Sequence, residues 1–316
     1  MINGIHHITA LASDPQRNLD FYAGVLGLRL VKRTVNFDAP DVYHLYYGDE
    51  IGQPGTILTF FPFPNAVRGK RGTGEISVVA FQVPPAALEF WVERLSKYGI
   101  HIDGPFKRFG EEFISFQDPD GMTVELAFST SQFAFRHWSG SPISSEFSIR
   151  RLHSATLTVA RREETDWILQ NLLQFRLSAQ DDLRFRFVSG RSEGEATVDL
   201  LVRKDLPIAR QSAGSVHHIA WRTADSAGQM KWRKEIADSG LHVTEILDRQ
   251  YFQSIYFREP GGVLFEIATD TPGFAVDEKV ENLGVELKLP PSLESERQKL
   301  ERLLPPIDMK KKLFVE

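Results

Sequence analysis

The chain has 316 residues, 42% hydrophobic and 25% charged, with a formal net charge of -5 and no cysteine. That balance is ordinary for a globular protein and the length suffices for two cores, while the mild negative charge argues against a general nucleic-acid or anionic-membrane partner. No apolar run approaches the ~20 residues that span a bilayer, the first residues show no secretion signal, and the lack of thiols removes disulfides, thiolate metal sites and cysteine nucleophiles, so the cytoplasm is the expected compartment.

The first expected element is a strand, Ile5–Leu11, apolar apart from the pair His6-His7 and Thr9. A polar break, Ser13-Asp14-Pro15, precedes apolar residues at helical spacing from Asn18 to Gly27, which predict a helix closed by glycine. Strands are predicted at Leu28–Val31 and Tyr43–Gly48, then a turn and a last strand over Pro54–Phe61. The order is strand, helix, three strands.

The same order recurs. A second copy has the strand Ile76–Val83, the amphipathic helix Ala87–Gly99, the strand Phe113–Phe116, the turn Asp118–Gly121 and a last strand Met122–Leu126 carrying Glu125. Its first strand has no histidine. A third copy has the strand Leu152–Val159 with His153, the helix Glu163–Leu173 and the strand Ala196–Leu201 with Asp199. A fourth has Val216–Ala220 with His217-His218, the helix Ser226–Ser239, the strand Gln253–Phe257 and Gly261–Ile267 with Glu266. The copies divide the chain into an N-terminal domain (1–130), a Ser/Gly-rich linker (131–148), a C-terminal domain (149–275) and a tail (276–316). In the tail, Leu293–Leu304 predicts a short charged helix stopped by Pro305-Pro306 and packed as an arm on the body. The fold class is α+β: four βαβββ modules in two domains, with a C-terminal helical tail.

Two positions in each copy can carry chemistry: the histidine of the first strand and the carboxylate of the last. A carboxylate in a run as apolar as that around Glu266 is costly to bury without a cation beside it. Without thiolates, imidazole and carboxylate ligands suit Fe(II), Mn(II) or Zn(II). Pairing copies one and four offers His7, His218 and Glu266, with Thr59 where a fourth ligand would stand; this is a facial triad with open positions. Pairing three and four offers His153, His218, Asp199 and Glu266, a fuller sphere suited to Lewis-acid work. The spacing leaves both open. Glu125, without a histidine in its copy, is expected to face solvent, and His44, His101, His137 and His242, outside the repeat, are expected at the surface or in packing.

The repeat, with His opening and Glu closing, resembles the vicinal oxygen chelate superfamily of glyoxalases, bleomycin-resistance proteins and extradiol dioxygenases. The stretches Leu28–Asp38, Tyr43–Glu50, Gly52–Thr56 and Gly69–Gly74 resemble its hydroquinone ring-cleaving branch, and the likeness covers nearly the whole chain. The resemblance implies mixed curved sheets with helices outside, and Fe(II) (Mn(II) as the alternative) held by His7, His218 and Glu266. It favours the pairing of copies one and four and makes His153 and Asp199 vestiges. Around the metal it implies His6 and His217 as base or hydrogen-bond partners of bound oxygens. Thr9 reaches the metal shell, Arg249 stabilises developing negative charge, and Tyr256 acts as a donor. The partners implied are a small aromatic substrate and dioxygen, with ring opening of a hydroquinone as the reaction; a homo-oligomer is neither required nor excluded. The alternatives are extradiol cleavage of catechols, a glyoxalase-type metal-dependent isomerase or lyase, and a non-catalytic protein that binds aromatic compounds.

Overall fold

The structure, a computed structural model, describes residues 2–130, 133–190 and 196–309. Residue 1 of the expected N-terminal domain, 131–132 of the linker and 310–316 of the tail lie outside the described residues. In chain order the first module contains β1 (Ile5–Ala12), α1 (Pro15–Leu19), β2 (Arg29–Asn36), β3 (Ala39–Gly48) and β4 (Ile57–Pro62). The second contains β5 (Glu75–Val83), α2 (Leu88–Lys97), β6 (Asp103–Arg108), β7 (Glu111–Gln117) and β8 (Thr123–Phe128). The third contains β9 (Arg151–Val159), α3 (Glu163–Trp167), β10 (Arg176–Asp181), β11 (Arg184–Ser189) and β12 (Ala196–Val202). The fourth contains β13 (Val216–Thr223), α4 (Ser226–Asp238), β14 (Leu247–Asp248), β15 (Phe252–Arg258) and β16 (Leu264–Pro272), and α5 (Arg297–Leu303) lies in the tail. Among the described residues no helix is long and apolar enough to cross a membrane.

Local chemistry explains the helix starts. The Asp14 carboxylate accepts from the Arg17 N–H at 2.8 Å, and Pro15 occupies the first turn, where a missing N–H costs nothing. The helix expected over 18–27 begins there, three residues early, and widens into a π-helical turn over Asp20–Val25. A matching π turn, Ile168–Leu172, follows α3, whereas α2 and α4 have none. Modules one and three are therefore alike, giving the repeat a two-module period.

The strands form two eight-stranded sheets, in the orders β14-β15-β16-β13-β1-β4-β3-β2 and β10-β11-β12-β9-β5-β8-β7-β6, each curved into a half-barrel. At the centre of each, first strands of different modules pair antiparallel: β1 with β13, and β5 with β9. Module one thus shares a sheet with module four, and two with three. Alternation along the central strands separates two faces. Ile8, Ala10, Ile219 and Trp221 enter the main core beneath the helices. Val31, Tyr46, Ala220, Phe252 and Ala268 form a second buried cluster on the other face. That second face carries the candidate site.

The tail is strapped across the first sheet. The Lys32 ammonium is fully buried and paired with Asp277, at 2.6 Å, and with Glu278. Gly284 has φ +79°, and a Cβ there would stand 2.0 Å from the Leu30 carbonyl oxygen, so only glycine lets the strap lie this close. Leu300 and Leu304 are buried, anchoring α5.

Candidate metal centre and its cavity

Register assembles the site. Thr9 of β1 lies opposite His218 of β13, and His7 opposite Ala220, so both histidines reach the same face. Ala220 is in turn paired with Glu266 of β16. The Glu266 Oε2 atom stands 2.8 Å from His218 Nε2 and 3.3 Å from His7 Nε2, and the two ring nitrogens are 3.4 Å apart. All three side chains are buried.

Hydrogen-bond counting fixes their chemistry. His7 Nδ1 lies 2.9 Å from Nδ1 of His6, so the two rings share one proton there. Glu266 Oε2 receives no hydrogen bond although His7 Nε2 stands 3.3 Å away, so the His7 proton is on Nδ1 and the Nε2 lone pair faces inward. His218 repeats this with His217, Nδ1 to Nδ1 at 2.8 Å. Glu266 Oε1 accepts from the Ser254 hydroxyl, but Oε2, buried, has no aligned donor. Burial raises the Glu266 carboxyl, and the positive charge that the His7 and His218 rings carry when protonated outweighs it and holds it well below the usual range. Burial lowers the His218 imidazole. Two neutral ring nitrogens and one orphaned carboxylate oxygen, mutually within 4.8 Å, fit a divalent cation and leave part of its sphere open.

The open side faces a cavity of about 290 Å³. This is near the lower end of ligand pockets, about 300–1,000 Å³, and suits a single ring. Phe37, Phe61, Phe252, Leu247 and Leu264 give it apolar walls, and Thr9, His44, Tyr46, His217, Arg249 and Tyr256 supply the polar ones, with Asn36, Asp38 and Thr244. Arg249 donates from Nε to the Tyr256 hydroxyl at 3.3 Å and pairs with Asp38 at 3.2 Å. Burial opposes its charge, but Tyr256 and Asp38 outweigh burial and raise its pKa. Burial and the Glu266 carboxylate push the Tyr256 phenol up, so it remains a donor. Burial and His218 push His217 down to about 3. With Nδ1 accepting from His218, neutral His217 keeps Nε2–H as a donor.

Thr9, His217, Arg249 and Tyr256 thus meet around the three convergent atoms. His6 stands apart: it is buried, is not a wall of the cavity, and reaches the ring of His7 instead. Its ring is turned to His7 and not to the cavity. His44, expected at the surface or in packing, is a wall residue bonded to Thr59 and Tyr46. A signal for it exists in the repeat. Tyr46 is the cross-strand partner of Thr59 as Tyr256 is of Glu266, so His44-x-Tyr46 aligns with Ser254-x-Tyr256.

Among the described residues the second sheet holds no equivalent set. Thr156 pairs with Asp199 as Ala220 pairs with Glu266, so Ser154, not His153, occupies the ligand position of module three. Val78 occupies it in module two, where Ala80 pairs with Glu125. His153 bonds to Glu111 at 2.9 Å. Arg186 takes Asp199 with Nε at 2.7 Å, and Arg108 takes Glu125 with two bonds, at 2.8 and 2.9 Å. Glu125 is buried against Arg108, contrary to the expected solvent-facing position. Guanidinium groups provide here the positive charge that buried carboxylates require.

Residues 4–126 and 151–267 match the family described as the glyoxalase/bleomycin resistance protein/dioxygenase superfamily. MhqO of Bacillus subtilis (strain 168), named as a ring-cleaving dioxygenase, is 44% identical over 312 residues, 97% of either chain. The chlorohydroquinone/hydroquinone 1,2-dioxygenase of Sphingobium indicum is 37% identical over 311 residues, 96% of either chain. A crystal structure from Bacillus subtilis subsp. subtilis str. 168, named as a dioxygenase, matches with a TM-score of 0.93 and 42% identity over 98% of either chain.

Proposed function

This chain belongs to the glyoxalase/bleomycin resistance protein/dioxygenase superfamily and is a ring-cleaving dioxygenase, and on that premise we propose that it opens substituted hydroquinones with Fe(II) held by His7, His218 and Glu266. The observation that carries this reading is the orphaned Glu266 Oε2, converging with two inward lone pairs on a point open to an aromatic-walled cavity. Fe(II), or Mn(II) in its place, supplies the path by which electrons pass from ring to dioxygen.

The protein's part is placement. Phe37, Phe61 and Phe252 hold the ring. A hydroquinone carries its hydroxyls on opposite sides of the ring, so only one oxygen stands at the centre. Tyr256 and His217 are neutral donors able to reach oxygen atoms bound beside the ligands, and the Arg249 cation offsets negative charge that develops there. The Ser254 bond keeps Glu266 presenting one oxygen, which leaves room for substrate and dioxygen together.

The test is oxygen uptake by the anaerobically Fe(II)-loaded protein with methylhydroquinone and with catechol, using isotopic dioxygen. Preferred turnover of the hydroquinone, with both labelled atoms in a ring-opened product, is expected. Preferred turnover of catechol assigns extradiol cleavage instead. No uptake with either, despite bound iron, contradicts the reading.

A further inference from the structure

His44 is a half-buried wall of the cavity and uses both ring nitrogens. Its Nε2 lies 2.8 Å from Thr59 Oγ1, and its Nδ1 lies 2.8 Å from the Tyr46 hydroxyl. Thr59 Oγ1 donates to Thr9 Oγ1 at 3.0 Å. A hydroxyl has one hydrogen. Thr59 has spent its own on Thr9, so His44 Nε2 must be the donor to Thr59, and Tyr46 must be the donor to His44 Nδ1. The series runs Tyr46, His44, Thr59, Thr9, each giving its hydrogen to the next. Thr9, a cavity wall two residues from His7, ends it with an O–H that no acceptor among the described residues takes.

The place of this series in the sheet gives it meaning. Thr59 pairs with Thr9 as Glu266 pairs with Ala220, and Tyr46 with Thr59 as Tyr256 with Glu266. By that internal symmetry Thr59 stands where a second carboxylate would complete the centre, and His44 bonds it as Ser254 bonds Glu266. A second carboxylate would cancel the remaining charge of a bound dication and fill its open side. Neutral hydroxyls do neither: they leave one net positive charge and an outward O–H, which together suit a singly charged oxygen.

We propose that His44 is a positioning residue for the reaction: held between Tyr46 and Thr59, it fixes the Thr9 hydroxyl as a hydrogen-bond donor to the phenolate oxygen bound at the centre of His7, His218 and Glu266. The proposal rests on the phenol-binding reading above. It is tested without turnover, by following the ionisation of 4-nitrophenol bound to the Fe(II)-loaded protein under nitrogen across a pH series. The wild type ionises the bound phenol at a lower pH than free phenol. His44→Phe, which keeps an aromatic ring but no nitrogen, and Thr59→Val, which breaks the series in the middle, each raise that pH by about one unit, a tenfold loss. His44→Gln, whose amide retains an N–H for Thr59, keeps most of the effect. Thermal unfolding and iron content identify folded, loaded variants, and Thr59→Val carries the test if His44→Phe does not fold. Wild-type ionisation in the loaded Phe and Val variants overturns the role of His44 alone. So does an equal shift in the Gln and Phe variants, the mark of a packing effect. Absence of ionised phenol in the wild type contradicts the phenol-binding reading and the proposal with it.

Discussion

At the scale of single residues, the site depends on which buried groups are neutral and which oxygen is left over. Ser254 holds one oxygen of Glu266 and frees the other. Ser254→Ala is expected to weaken Fe(II) binding by about 10–100-fold, as loss of groups that orient ligands does, measured by competition with a chelator; unchanged affinity would detach Ser254 from the centre. Acid sensitivity follows from His6, His44 and His217, all held below their ordinary 6.5 by burial first, with a neighbouring histidine adding to it. Between 6.5 and the lower folded values the unfolded chain binds more protons, so stability falls as pH falls. The slope is about 1.4 kcal/mol per pH unit for each histidine inside the window. Asp118, pushed up to about 6 by burial, works the other way between 3.8 and 6, as do Asp49, Glu75 and Glu259, which burial also raises, while His218, lowered by burial, adds to the histidine side. Urea unfolding of the metal-free protein is therefore expected to show lower stability at pH 5 than at pH 7, and equal midpoints would contradict this assignment of neutral histidines.

At the scale of elements, most strands with a buried face were legible, β11 being missed although it is largely buried, and the exposed edge strands were not. β1, β5, β9 and β13 read as apolar runs because they lie at the centres of their sheets. β6 and β10 lie at sheet edges and are largely exposed, so their polar sequences lack the alternation that betrays a strand. The π turns were invisible because helical spacing alone does not distinguish one widened turn. His153 misled because it is a histidine in a first strand, while the register that makes Ser154 its module's ligand position appears only when strands pair. The ion pairs of the second sheet make a separate prediction. Arg186→Met leaves Asp199, essentially inaccessible, without its main partner. It is expected to cost about 3–5 kcal/mol of stability while leaving the Fe(II) stoichiometry of the folded fraction unchanged. Loss of iron from that folded fraction would place the metal in the second sheet.

At the scale of the whole molecule, the site belongs to neither half of the chain. His7 comes from the first module and His218 and Glu266 from the last, joined through the β1–β13 pairing. The sequence offered the pairing of modules one and four as one of two arrangements, and only the family likeness favoured it, because spacing carries no information on which first strands meet. Separately produced fragments 1–130 and 149–309 are expected to bind little Fe(II) each and to recover binding when mixed. Full binding by either alone would refute a shared site. The most direct measurement compares His7→Ala with His153→Ala for iron content and methylhydroquinone-dependent oxygen uptake. The expected result is loss of both in the His7 variant and retention of both in the His153 variant. Retention in the His7 variant, with loss in the His153 variant, would contradict the assigned centre.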